Sequence, residues 1–204
     1  APPRRQGLGP LDVTKPGTGV EQRRGGLLGG SVIQGTFRVG DEIEIRPGLP
    51  VQTGGRTRYE ALVSKVTSLN VSKGPVTEAR SGGLVGVGTA LDPSLTKADG
   101  LVGSVVGKVG ELPQVLDRLT AEVTLFERAV WTEELVPVDK IKTNEPLVLN
   151  VGTAVTSGVV TSAREDLVDV SLRKPVCPIP SFKIAVSRRI GDSWRLIGFG
   201  SLKG

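Results

Sequence analysis

The sequence predicts an all-β protein built from two small antiparallel units, and three observations carry that prediction. The 204 residues include 28 Gly and 14 Pro, so a helix-breaking residue arrives roughly every fifth position and long helices have little room. Apolar residues recur with period two in short runs. The length suits either one large core or two of about 100 residues each, and a break at Glu111-Leu112-Pro113 falls near the middle.

Residues 1–10 are rich in Pro, Gly and Arg and are expected to form a flexible lead. Residues 11–111 form the first expected unit. In it Ile43 and Ile45 alternate, as do Leu101, Val105 and Val109 with Gly103 and Gly107 between them. Residues 112–204 form the second. There Ala121, Val123 and Leu125 alternate, then Leu147, Leu149 and Val151, Val168, Val170 and Leu172, and finally Ile184 and Val186. Pro47-Gly48, Gly54-Gly55, Gly82-Gly83 and Gly191-Asp192 punctuate these runs as turns. One stretch argues for a helix: Gln114 to Val136 lacks Gly and Pro, and Leu116, Leu119, Val123 and Phe126 stand at helix-like spacing. The break before it favours an entry segment followed by a strand near Leu119–Phe126. Barrels and sandwiches both fit the pattern.

Composition removes much catalytic chemistry. With no His and a single Cys there is no histidine base, Ser-His-Asp relay, histidine-bound metal, internal disulfide or Cys-rich zinc cluster. The pattern G-x-x-x-x-G-K-[ST] is absent, as is G-x-G-x-x-G, so nucleotide binding has no support in this segment. Glu133-Glu134 and Glu165-Asp166 read as solvated surface, and Cys177 as a buried small hydrophobe. Trp194 and Phe199 read as core, with stacking on a base or a partner's arginine as the functional alternative. Arg188-Arg189 suits a phosphate or a salt bridge inside a domain interface equally well. No apolar run approaches the roughly 20 residues of a membrane span, which points to a cytoplasmic protein without a membrane partner.

The net charge of +5 is confined to residues 1–110, where 14 Lys and Arg face 9 Asp and Glu. Such a basic half suits a phosphate-bearing partner. The same half holds two glycine clusters, Gly25, Gly26, Gly29, Gly30 and Gly35, then Gly82, Gly83, Gly86 and Gly88. Glycine inside a strand marks either tight barrel closure or close approach of a ligand.

These residues sit within motifs that resemble a known family. The motifs are Lys15-Pro16-Gly17-Thr18, Gly26 to Gly35, Val39 to Gly48, Gly82 to Thr89, Leu91 to Asp99, Asn150-Val151-Gly152-Thr153, Ser187-Arg188-Arg189 and Trp194 to Gly198. In this order they resemble the gamma subunit of archaeal and eukaryotic translation initiation factor 2, from about Leu11 to Gly204. The resemblance implies two consecutive β-barrels like domains II and III of elongation factor Tu, without the GTPase domain. It implies a non-catalytic chain that helps hold the aminoacylated end of initiator methionyl-tRNA for delivery to the small ribosomal subunit. GTP and Mg would bind the absent upstream GTPase domain, leaving no cofactor here.

By motif position the acceptor-end surface would comprise Gly29, Gly30, Glu78, Arg80, Gly82 and Gly83, with Arg80 as the charged contact. The segment from Pro47 to Arg58, read as a long loop, would dock the factor's alpha subunit through Pro47, Gly48, Arg56 and Arg58. A scaffold that mainly docks partner subunits is the competing reading, and the barrels of a related elongation or selenocysteine-specific factor are another. The absence of Met and His suggests a processed, excised or redesigned chain.

Overall fold

The computed structural model describes residues 11–16, 25–96, 99–129 and 136–203. The expected lead at residues 1–10 and the Glu133-Glu134 pair lie outside them. The chain divides after Pro113 into two compact units.

The first unit contains β1 (Leu11–Pro16), β2 (Leu27–Val32), β3 (Thr36–Arg38), β4 (Glu42–Thr53), β5 (Arg56–Val71), β6 (Gly74–Val76), β7 (Glu78–Arg80), β8 (Leu84–Thr89) and β9 (Val105–Lys108). Seven strands follow the order β4-β9-β1-β2-β8-β5-β6, and pairing of β4 with β5 brings the succession back on itself as a curled, barrel-like sheet. The remaining two, β3 and β7, pair separately. Alternation does the folding: Leu28 and Val32 of β2, Ile43 and Ile45 of β4, and Val85 and Val87 of β8 point inward around fully buried Phe37. The run read through Leu101, Val105 and Val109 is shorter than expected. Leu101 closes a 3-10 turn, the strand spans only Val105–Lys108, and Val109 is exposed.

Between β8 and that turn lies one short helix, α1 (Pro93–Thr96). Asp92 caps it, its Oδ1 accepting from the Ser94 amide at 2.8 Å. Thr96 of this helix packs where a side chain on Gly26 would stand, since a Cβ there would come within 2.5 Å of Thr96 Cγ2. The start of β2 is further held by the Gly26 amide donating to Leu91 O at 2.7 Å and by Thr89 Oγ1 donating to Gly26 O at 2.6 Å. Two motifs separated by some sixty residues of sequence are thereby one packed unit.

The second unit contains β10 (Leu116–Leu125), β11 (Pro146–Val151), β12 (Ala154–Arg164), β13 (Leu167–Val176), β14 (Lys183–Ile190) and β15 (Ser193–Leu202), closed as a barrel in the order β10-β13-β12-β11-β14-β15. Leu119, Ala121 and Val123 face its core with Leu149, Val160, Val170 and Ile184. The described start of the helix-like stretch is therefore a strand, close to the one expected near Leu119–Phe126; a bulge between Leu116 and Arg118 shifts the phase, which places Leu116 at helical spacing by coincidence. No helix among the described residues is long and apolar enough to cross a membrane.

Three readings of the second unit are resolved here. Cys177 is buried, as expected. Arg188 takes the salt-bridge role, pairing with Glu145 and donating to Asp139 O at 2.9 Å, but inside the barrel unit rather than across an interface. Trp194 and Phe199 are 42% and 44% exposed, so neither is core. A bulge between Val186 and Ser187 turns buried Ile197 inward and leaves Phe199 outside, edge-on to Phe126 at 5.5 Å between ring centroids.

Candidate nucleic-acid interface

The two expected clusters of site residues occupy different elements. Gly29 and Gly30 lie in mid-β2 between two neighbours, Gly29 opposite Lys15 of β1 and Gly86 of β8, Gly30 opposite Val13 and Val85. Gly30 is buried and Gly29 partly so. They are wall residues of the sheet. Glu78 and Arg80 belong to β7, in the small sheet with β3. Gly82 and Gly83 form the exposed bend that carries the chain from β7 into β8, just beyond the Ser31–Leu84 pair.

Charge is concentrated on the β3–β7 ladder. Arg38 stands directly across from Glu78, and Arg80 is two residues further along β7, on the same face. Glu78 Oε2 meets Arg38 Nε at 3.3 Å and Glu78 Oε1 meets Arg80 Nε at 3.1 Å. The Arg80 hydrogen bond, aided by the positive charge of Arg38, holds the Glu78 carboxyl below its usual value despite some opposing desolvation. Arg80 remains 77% exposed, whereas Arg38 is 29% and Glu78 35% exposed. The family motifs did not single out Arg38. It lies forty positions from Glu78 in sequence, and only strand pairing brings them together.

The bend beside this cluster is open. Gly82 has φ +107°, which itself calls for glycine. Gly83 does not, and a Cβ built on it would meet none of the described residues within 4 Å. Leu84 follows, 62% exposed. Neither packing nor backbone conformation requires a glycine at position 83.

The segment read as a long loop from Pro47 to Arg58 is instead the outer part of the β4–β5 hairpin, closed by Gly54-Gly55 in left-handed conformations. Pro47 and Gly48 are buried at its base. Gly48 has φ +88°, and a side chain there would overlap the Glu60 carbonyl. Arg56 and Arg58 are exposed near the tip, Arg58 pairing with Glu60 at 2.7 Å. Thus the hairpin separates two residues that shape its base from two that face solvent.

Residues 117–202 match the model described as "Initiation factor eIF2 gamma, C terminal", and residues 25–107 match "Elongation factor Tu domain 2". The chain is 47% identical over all of its 204 residues to translation initiation factor 2 subunit gamma of Methanocaldococcus jannaschii, covering 50% of that protein. Over its whole length the chain is similar to gamma subunits of translation initiation factor 2. The gamma subunits of Pyrococcus horikoshii and Archaeoglobus fulgidus are 53% and 54% identical over 99% and 95% of the chain, which covers 49% and 45% of them. It therefore spans about half the length of these gamma subunits. A crystal structure of a bacterial selenocysteine-specific elongation factor shares the fold, with a TM-score of 0.68 at 16% identity over 98% of the chain and 28% of that protein.

The sequence carries no phosphate-loop pattern, and among the described residues no group of three or more His, Cys, Asp or Glu is placed to hold a metal ion.

Proposed function

We propose that this chain is a non-catalytic, two-barrel part of an initiation factor 2 gamma protein, and that its first unit binds the aminoacylated acceptor end of initiator methionyl-tRNA. Delivery to the small ribosomal subunit in the cytoplasm and reading of GTP and Mg would depend on a GTPase domain of the full-length protein. The observation that carries the tRNA reading is Gly83, a glycine without a reason in the fold, three residues after the exposed guanidinium of Arg80. A bare backbone beside a guanidinium admits a sugar-phosphate chain or aminoacyl ester at close range. The basic surplus of residues 1–110 favours the same class of ligand.

The test is Gly83→Val. Its melting temperature should equal that of the parent, because the added side chain meets open space, while filter-binding affinity for methionyl-tRNA should fall about tenfold or more. Unchanged affinity would remove the argument. The hairpin supports a second, separable role: Arg56 and Arg58 at its exposed tip suit an acidic surface such as an alpha subunit could offer.

A further inference from the structure

We propose that Arg38 and Arg80 together form a two-guanidinium phosphate site that Glu78 occupies in the free protein and vacates when an RNA phosphodiester arrives. This deepens the acceptor-end reading and rests on it. The geometry supplies the argument. Each Glu78 oxygen takes one arginine, at 3.3 and 3.1 Å, which is how two oxygens of a phosphate would be shared between the same two side chains. The three charges lie on one face of the β3–β7 ladder, where strand pairing fixes their spacing. Within the ladder two positive charges stand against one negative, while the Asp41 carboxylate close by accepts from the Arg38 amide at 2.8 Å. Immediately downstream, Gly82 and Gly83 leave space that a Cβ would find empty, so an incoming phosphate has room beside Arg80.

The exchange is energetically easy. Solvent-exposed ion pairs contribute little, whereas charge-assisted hydrogen bonds from arginine to phosphate are stronger and liberate condensed counterions. Glu78 acts as a positioning residue with a second effect. It preorganises both guanidiniums, and it lowers the affinity for any RNA that offers a phosphate and nothing else. A ligand with further contacts at the Gly82-Gly83 bend displaces it; an arbitrary strand does so less readily.

The experiment measures binding of the full chain to two probes, a short single-stranded RNA ending in CCA and methionyl-tRNA, each over a range of salt concentrations. Glu78→Gln should tighten the oligonucleotide by about three- to tenfold, the removal of one or two surface pairs, and narrow the preference for methionyl-tRNA. Arg38→Ala should weaken the oligonucleotide and flatten the slope of log K against log salt by about 0.7, the value for one single-strand phosphate contact. Arg80→Ala should do the same. Thermal melts of all three variants identify any loss of folding, and Glu78→Asp, which keeps the charge, provides a second variant that should restore the parent's preference in part.

If Glu78→Gln leaves the oligonucleotide affinity unchanged or weaker, or Arg38→Ala leaves the slope intact, the phosphate site is overturned. If Glu78→Gln tightens and Arg38→Ala flattens as expected but methionylated and deacylated tRNA bind equally, the phosphate site stands and the acceptor-end reading fails. Selective methionyl-tRNA binding that neither variant alters overturns the phosphate site alone.

Discussion

Glu78 is the residue whose ionisation is most informative. Its carboxyl is held below the usual value chiefly by the hydrogen bond from Arg80, with Arg38 contributing charge. A carboxyl lowered by folding adds stability that is present above the unfolded-state value and lost as pH falls through the folded one. A carbon-detected NMR titration should accordingly place Glu78 below an ordinary glutamate, and Arg80→Ala should raise it more than Arg38→Ala. An unshifted Glu78 in the parent would contradict the pairing. The family resemblance placed Glu78 and Arg80 among the expected site residues. It could not show Arg38, because a partner forty positions away becomes a neighbour only through the register of two three-residue strands. Gly82 and Gly83 look alike in sequence; only backbone angle and surrounding space separate the one the fold requires from the one it does not.

Elements were legible where alternation ran unbroken, and individual residues were misread where a bulge resets the alternation. β11 reads directly from Leu147, Leu149 and Val151, all buried. β10 reads from Ala121 and Val123 but leaves Leu116, beyond its bulge, at helix-like spacing, and β15 does not read directly, because a bulge resets which of its side chains point inward. That reset is why Trp194 and Phe199, aromatic and set in a strand, lie outside. The β4–β5 hairpin shows the same limit on another scale, since its Gly54-Gly55 turn is visible but the long ladder on either side is not read from composition. Its base and tip make opposite predictions. Gly48→Ala should destabilise the first unit by more than about 1 kcal/mol, as expected where φ is positive and the site is filled, measured by denaturant unfolding. Arg56→Glu with Arg58→Glu should leave unfolding unchanged within about 0.5 kcal/mol yet abolish pull-down by an alpha subunit; persistent pull-down would move docking elsewhere.

At the scale of the molecule, two separate cores underlie the architecture, one around Phe37, Ile43 and Ile45 and the other around Leu149, Val160 and Ile184. Since each unit buries its own apolar residues, substitutions should report locally. Leu149→Ala should cost about 2–5 kcal/mol and lower the unfolding midpoint of the second unit, while amide exchange protection of the first unit's β2 and β8 stays near that of the parent. Protection lost equally in both units would show one cooperative core instead. The family resemblance was available from the motifs, and the all-β class from Gly and Pro content with period-two alternation. What the motifs could not supply was the division of labour among the glycines, with Gly26 and Gly48 committed to packing.

All six strands of the second unit already have two neighbours around the closed barrel. Among the described residues, no edge strand of that barrel is left to recruit an extended segment from another polypeptide. Whatever associates with the walls of that barrel must recognise protruding side chains such as Trp194 and Phe199, so its specificity will be set by substitutable chemistry and can be erased one residue at a time without unravelling the wall beneath.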